Sequence, residues 1–162
     1  MFPRPPDRAT QSDLLASMLR SIRRRRGWSV RQAARAMAMS MRSYERFEAG
    51  DGEIRLERLF RFANLTDSDP LAIVAGLYLA DPNLAVRCAD HKLTLIHAMA
   101  LKRFHGQVGE DLGQLDVVTL IGAFTVTFEK LASSLGDRRA AAETWLSAES
   151  APSRPAEDED LP

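Results

Sequence analysis

Two short capped helices joined by a tight turn are the feature that most constrains the fold of this chain. They lie in residues 28–50, WSVRQAARAMAMSMRSYERFEAG. Ser29 is a favoured N-cap residue, and Gln32 three positions later completes a capping box. Ser40 caps a second helix, and Gly50 supplies the left-handed residue that ends it. The stretch therefore predicts two consecutive helices that cross at a sharp turn.

The second of these helices has two chemically different faces. Tyr44 and Phe47 form an apolar back, and arginines dominate the front. A bare helix fits the major groove, and arginine matches both phosphates and the O6/N7 edge of guanine. Base contacts are therefore predicted for Met41, Arg42, Glu45 and Arg46. The alternative is a plain helical hairpin with solvated arginines.

Three sequence segments follow one another without a gap around this stretch. They are the basic helix end RRRRGW, the opening SVRQAA of the next helix, and the run SMRSYERFEAGD. Over residues 14–74 the chain resembles the Cro/C1-type, or XRE, helix-turn-helix family. The resemblance implies a five-helix lambda-repressor-like DNA-binding domain, with an ion pair between Arg23 and Glu48. The expected phosphate contacts are Arg23, Arg24, Arg25, Arg26, Ser29, Arg31, Ser40 and Ser43.

Two residues depart from the family pattern. The family often has glutamine at the first position of helix 2, where it touches DNA, and this chain has Val30. The turn often carries glycine where this chain has Ala38, and a positive φ at a non-glycine residue costs roughly 1 kcal/mol. Both departures weaken the expectation of DNA contacts from helix 2 more than from helix 3.

Charge is distributed unevenly along a chain whose formal net charge is zero. Residues 1–62 hold 14 arginines and 7 acidic residues, whereas residues 63–162 hold 8 basic and 15 acidic residues. A basic half that carries a groove-binding motif is typical of a nucleic-acid footprint. The acidic half would repel DNA and is expected to face elsewhere.

The chain predicts an all-α protein of four segments. Residues 1–11 are a proline-rich arm, 12–80 the five-helix DNA-binding domain, 81–148 a helical dimerisation or effector module, and 149–162 a disordered acidic tail. Predicted helices cover residues 12–26, 56–63 and 70–79 beside the two above. One long helix then spans 82–105, followed by a glycine-rich loop over 106–115.

Asp116 precedes a strongly patterned segment. Apolar residues are spaced 4-3-4-3-4, which is typical of a helix that packs on another helix: Val117, Ile121, Phe124, Phe128, Leu131 and Leu135. The run VVTLIGAFTVTF is also rich in β-branched residues, so a strand is the alternative. A helix ending at Gly136 is favoured, with a last helix from Asp137. A homodimer interface through Ile121, Phe124 and Phe128 is expected, against the alternative that one subunit buries the stripe.

No other site is predicted. Cys88 and His91 lie three apart, but a structural zinc site needs four ligands, so no metal or cofactor is expected. A catalytic triad, paired catalytic carboxylates and a phosphate loop are not recognisable. A secretory signal is not recognisable, and the longest apolar run, residues 71–80, is too short to span a bilayer. A soluble cytoplasmic protein, not an enzyme and without membrane association, is expected.

The pattern indicates a sequence-specific regulator that binds double-stranded DNA as a homodimer on a two-fold operator. Repression by promoter occlusion is favoured, and activation through RNA polymerase, or contact with another protein through the C-terminal module, is the alternative. Two rivals keep the helix-turn-helix scaffold without this role: a protein-interaction adaptor and the antitoxin of a toxin–antitoxin pair. Arginines at the groove-facing positions argue against the adaptor.

Overall fold

The structure is a computed structural model that describes residues 4–149. Within that range it contains helices only, which confirms the all-α prediction. The α-helices are α1 (Arg8–Arg25), α2 (Val30–Ala36), α3 (Met41–Glu48), α4 (Leu56–Leu65), α5 (Pro70–Tyr78), α6 (Pro82–Cys88), α7 (Leu93–Val108) and α8 (Val117–Glu149). A 3-10 helix, Gly109–Gln114, precedes α8. The described residues form two compact units, one that ends at Gln107 and one that begins at Val108.

Helix α1 begins earlier than predicted, because Asp7 caps it. The Asp7 carboxylate accepts a hydrogen bond from the backbone N–H of Thr10 at 2.9 Å, as an N-cap residue does. The last four residues of the predicted arm, 8–11, are therefore helical. The start of the arm, residues 1–3, lies outside the described residues.

The core of the N-terminal unit is built around α1. Its buried stripe of Leu15, Met18, Leu19 and Ile22 packs against α3, α5 and α6. Removing such large apolar side chains from water is the main stabilising term. Helix α6 contributes buried residues to this same core, among them Ala85. The compact unit that holds α1 to α6 therefore extends past the predicted boundary at residue 80, as far as Gln107.

The turn between α2 and α3 lies between the helix caps that the sequence predicts. Ser29 and Gln32 form the full capping box, with the Ser29 N–H donating to the Gln32 side chain at 2.8 Å. Ala38 adopts a positive φ of 49°, the strained left-handed region for a residue with a Cβ. Gly50 ends α3 with φ 72°. A Cβ there would lie 2.6 Å from the Ser12 carbonyl oxygen. Glycine is therefore required both by the positive φ and by the lack of space for a side chain.

The single helix predicted over residues 82–105 is wrong, because the chain turns between α6 and α7. Lys92 takes a left-handed φ of 51° at that corner. The buried Asp69 explains the break: one oxygen caps α5, and the other accepts from the N–H groups of Thr94 and Leu95 at 2.7 and 3.1 Å. One carboxylate thus satisfies the free donors of two helix N-termini.

The loop predicted over 106–115 is also mostly helical, since α7 continues through Gly106 and the 3-10 helix follows. Asp116 caps α8 as expected, accepting from the Thr119 N–H at 2.9 Å. The helix predicted over residues 117–135 is confirmed, and the alternative strand is wrong. The predicted stop at Gly136 is wrong, and the two predicted C-terminal helices are one. A helical glycine costs only about 1 kcal/mol relative to alanine, and the alanine-rich sequence that follows favours helix.

The side chains of α8 that the structure describes are exposed, except that of Leu120, which is half-buried. The part Val117–Arg138 of this helix is, by length and composition, able to cross a membrane. A single helix that passes this test is weak evidence, because helices that pack in soluble proteins pass it too. The predicted acidic tail lies outside the described residues, apart from Glu149 at the end of α8.

Candidate nucleic-acid interface

Helix α3 is held in place by its buried side. Tyr44 is fully buried and Phe47 nearly so, and their rings lie 6.0 Å apart, with Phe62 of α4 beyond. Ser40 caps the helix by accepting from the Ser43 N–H at 3.2 Å. A short helix of eight residues is not stable alone, so this packing is what orders it. The opposite side is therefore presented to solvent in a fixed orientation.

The expected ion pair between Arg23 and Glu48 is present. Arg23 Nε donates to Glu48 Oε1 at 2.6 Å and Nη2 donates to Oε2 at 3.1 Å. Both residues are buried, at 8% and 5% exposure. Arg23 also donates to the Trp28 carbonyl at 2.8 Å. The bidentate pair joins the end of α1 to the end of α3, and the bond to Trp28 joins α1 to the segment before α2. These contacts leave Arg23 little surface for DNA.

Tyr44 belongs to the same buried cluster. Its hydroxyl donates to Glu48 Oε1 at 3.0 Å. Burial, and next the charge of Glu48, raise the pKa of Tyr44 well above its ordinary value, so the phenol stays protonated. The hydrogen bond to Glu48 raises the pKa of Arg23, which stays charged. The cluster is thus a charged pair with a neutral donor, and each side-chain polar atom in it has a partner.

The four residues predicted to contact bases all lie on the exposed side of α3: Met41, Arg42, Glu45 and Arg46. Arg42 and Arg46 are one turn apart on that side and make no side-chain hydrogen bond to another described residue. Their guanidinium groups are free to meet a partner. Met41 is 44% exposed and adds an apolar side chain to this face.

The predicted phosphate contacts fall into two groups. Arg24 and Arg31 are exposed and make no hydrogen bond to a described side chain. Arg25 and Arg26 instead bond within the protein: both donate to Asp90, and Arg26 also donates to the carbonyls of Thr66 and Asp67. A phosphate contact from Arg25 or Arg26 would have to replace these bonds.

The three predicted serine contacts are caps or cap partners. The Ser29 hydroxyl lies 2.9 Å from the Gln32 side-chain oxygen, and the Ser40 hydroxyl donates to Ser43 at 2.9 Å. All three serines are exposed at the start of α2 and α3. Val30, at the departure from the family pattern, is half-buried and packs against the core.

Two arginines that the sequence analysis did not single out lie next to α3. Arg55 and Arg58, at the start of α4, line a groove of about 270 Å³ together with Arg46 and Ser43. Asp51 and Glu53 line it as well, and Glu53 is 3.5 Å from Arg55. Their spacing of three positions could have predicted that the two arginines lie on one side of α4 at its start. Arg35, exposed on α2, was also missed.

The region of Cys88 and His91 does not form a site among the described residues. Cys88 is buried in the core, and burial raises the pKa of its thiol, whereas His91 is exposed. In residues 4–149, no group of three His, Cys, Asp or Glu side chains lies close enough to hold a metal ion.

The residues expected at a dimer interface lie on α8, in the C-terminal unit. Ile121, Phe124 and Phe128 are 61%, 41% and 47% exposed. They line a shallow apolar groove with Val117 and Leu120. Among the described residues, the stripe is not buried within one subunit, which was the alternative prediction.

Comparison with known proteins supports the domain assignment. Residues 14–72 match the family model of a helix-turn-helix domain. Neither the curated proteins nor the solved structures contain a significant match to the chain. The match ends within α5 and covers the capped turn, α3 and the Arg23–Glu48 pair. Residues 14–72 therefore form a helix-turn-helix domain.

Proposed function

We propose that this protein is a transcriptional regulator that binds specific double-stranded DNA sequences through α3. The observation that carries the proposal is the asymmetry of this helix: Tyr44, Phe47 and Glu48 fix it to the core, and Arg42 and Arg46 project freely from its other side. Arg42 and Arg46 supply base-edge contacts and Met41 an apolar contact such as a thymine methyl group.

Contacts to the DNA backbone are assigned to the exposed arginines around α3. Arg24 and Arg31 lie on α1 and α2, and Arg55 and Arg58 line the groove beside Arg46. Such contacts fix the register of the protein on the duplex and carry no sequence information. Ser29, Ser40 and Ser43 are further candidates at the starts of α2 and α3.

The protein acts as a homodimer on a two-fold operator in this proposal, with Ile121, Phe124 and Phe128 in the interface. One helix-turn-helix unit covers only a few base pairs, and dimers place two units on half-sites about 34 Å apart. Support comes from the exposed apolar stripe of α8, which is large for a helix in water. Two-fold association is the commonest way to cover such a patch.

Repression by promoter occlusion is the proposed mode of action, in the cytoplasm and at the nucleoid, without cofactor or enzymatic activity. Activation by contact with RNA polymerase uses the same DNA binding. Genome-wide mapping of bound sites, with expression measured in a deletion strain, tests this. Enrichment of a palindromic sequence at promoters whose transcripts rise on deletion is expected. Absence of any enriched sequence would favour the adaptor or the antitoxin.

A further inference from the structure

The apolar stripe of α8 has a symmetry that bears on how two copies meet. Six side chains between 41% and 70% exposed share one side of the helix: Val117, Ile121, Phe124, Phe128, Leu131 and Leu135. Their spacing of 4-3-4-3-4 reads the same in both directions about Val126. We infer that two copies of α8 pair antiparallel, in a register centred on Val126. The inference rests on the proposed homodimer and adds its orientation.

The register follows from the spacing. When two copies run in opposite directions about Val126, Val117 faces Leu135, Ile121 faces Leu131, and Phe124 faces Phe128 of the second copy. Every stripe residue then has a partner in the other helix, and six layers are filled. The two central layers pair phenylalanines, whose rings favour offset contacts. A parallel pair also fills the stripe, so the choice between them depends on charge.

The two ends of the stripe differ in net charge. Glu110, Asp111 and Asp116 precede the first turn of α8, whereas Asp137, Arg138 and Arg139 follow the stripe, so the first end is negative and the second has one net positive charge. Hydrogen bonds from Thr119 lower the pKa of Asp116, which is therefore ionised at neutral pH. In the antiparallel register Asp137 and Arg138 lie about 1.5 and 3 Å along the axis from Asp116 of the second copy, so the attraction depends on the net charge of each end. A parallel pair would instead bring Asp116 near Asp116 and Arg138 near Arg138.

The residues that flank the stripe carry no charge that would favour the parallel arrangement. In parallel pairs, flanking glutamate and lysine residues form the ion pairs that select the partner and its direction. Here these positions are apolar, small or hydroxylated: Val118, Leu120, Thr125, Thr127, Ala132 and Ser134. The charged residues Glu129 and Lys130 lie farther round the helix. The direction is therefore selected by the charges at the two ends.

A second copy fits this stripe better than a lipid bilayer does. Although Val117–Arg138 is long enough to span, the side opposite the stripe carries Thr119, Glu129, Lys130 and Ser133. Charged side chains at the centre of a bilayer are costly. Val118, Leu120 and Val126 are apolar residues outside the stripe, but the charges of Glu129 and Lys130 near the middle of the segment disfavour a bilayer.

The antiparallel pair also has a suitable length. Residues 117 and 135 are 18 positions apart, so the two copies of Val117 lie about 27 Å apart along the axis. The two chains thus enter the pair at points separated by nearly one turn of DNA, about 34 Å. In a parallel pair, the entry points would be only about 8–10 Å apart.

Disulfide cross-linking of the full-length chain tests the direction. Ile121→Cys and Leu131→Cys are prepared as separate proteins, oxidised alone and as a mixture, and resolved on non-reducing gels. The mixture should form a covalent dimer, and each protein alone should not. The wild-type chain, whose Cys88 is buried, and Val126→Cys on the far side of the helix are the matched controls. Self-linking of either variant alone, without mixed dimers, would overturn the antiparallel direction.

A charge reversal provides a second, independent readout. Arg138→Glu should raise the dissociation constant of the dimer at low salt by about threefold to tenfold, measured by sedimentation. Adding Asp111→Arg to that variant should restore much of the affinity. In a parallel pair the single reversal would replace one contact between like charges with another, so the dissociation constant would stay nearly unchanged.

The remaining outcomes separate this inference from the proposed function. A wild-type chain that is monomeric at micromolar concentration, or that floats with phosphatidylglycerol vesicles, would overturn the pairing. Binding of the same samples to an operator fragment is measured as well, and it shows whether the protein still binds DNA when the α8 pairing is absent.

Discussion

Arg23 and Glu48 are joined by two hydrogen bonds, of 2.6 and 3.1 Å, that link the end of α1 to the end of α3. The pair lies between the buried core and the surface on which α3 presents Arg42 and Arg46. Its planar, bidentate geometry permits little rotation of α3 relative to α1. The orientation of the exposed side of α3 thus depends on a buried charge pair and on the packing of Tyr44 and Phe47.

Replacing Glu48 with alanine should strongly destabilise the N-terminal unit. The substitution leaves the buried Arg23 guanidinium without its anion and the Tyr44 hydroxyl without its acceptor, and breaking such a pair costs about 3–5 kcal/mol. Urea unfolding followed by circular dichroism measures the change. Glu45→Ala on the exposed side of the same helix is the control and should change stability by less than about 0.5 kcal/mol. Equal effects of the two substitutions would show that the pair contributes nothing.

Replacing Ala38 with glycine should stabilise the protein. Ala38 has a φ of 49°, a conformation in which its Cβ is strained, and relief of that strain is worth up to about 1 kcal/mol. The greater freedom of glycine in the unfolded chain offsets part of it. Ala36→Gly, at the last residue of α2, is the matched control and should destabilise. Thermal unfolding of the three proteins gives the comparison, and a loss of stability in Ala38→Gly would contradict the strain.

Asp90 should contribute a pH-dependent part of the stability. Its hydrogen bond from Arg26, with the nearby charge of Arg25, lowers the pKa of Asp90 below its ordinary value of 3.8. A carboxylate whose pKa is lower in the folded state stabilises that state above its unfolded pKa, and the contribution is lost as pH falls through the folded pKa. Asp90→Asn should therefore lower the melting temperature at pH 7 and have no effect well below pH 3.8. A difference that is constant over this range would contradict the ion pair.

Binding to DNA should weaken steeply with salt. Each phosphate neutralised by an arginine contributes a slope of about −0.9 to the log–log plot of affinity against salt. Arg58→Ala and Arg24→Ala should each reduce the slope by about one and leave the preferred sequence unchanged. Arg25→Ala should change it less, because the Arg25 side chain bonds to Asp90 and to the Val86 carbonyl. Fluorescence anisotropy over a salt series measures the slope, and a flat response would favour a protein partner.

Elements whose boundaries depend on neighbouring residues could be predicted from the sequence. Ser29 with Gln32, Ser40 and Gly50 signal their helix ends within one turn, and α2 and α3 lie where these residues place them. The break before α7 could not be predicted in this way, because Asp69, 25 residues earlier in the chain, causes it. Gly136 was misleading for a related reason: a single glycine lowers helix stability without providing a cap.

The candidate site shows the same division. Exposure of Arg42 and Arg46 follows from the helical period, since Tyr44 and Phe47 must face the core. Arg25 and Arg26 form ion pairs with Asp90, whose position depends on where α6 ends. The sequence alone therefore predicted phosphate contacts for two arginines that already have a partner within the protein. The groove that joins Arg46 to Arg55 and Arg58 likewise forms only when α4 packs beside α3.

Recognition of DNA by α3 is tested most directly by the affinity of Arg42→Ala and Arg46→Ala for a mapped operator and for the same operator with single base changes. Each variant should lose about 1–3 kcal/mol of binding free energy and should no longer discriminate at one base position of each half-site. Arg103→Ala, which removes an exposed arginine of α7 outside the matched domain, is the control and should bind like the wild type. Wild-type affinity and wild-type discrimination in both Arg42→Ala and Arg46→Ala would contradict the assignment of α3 as the reading helix.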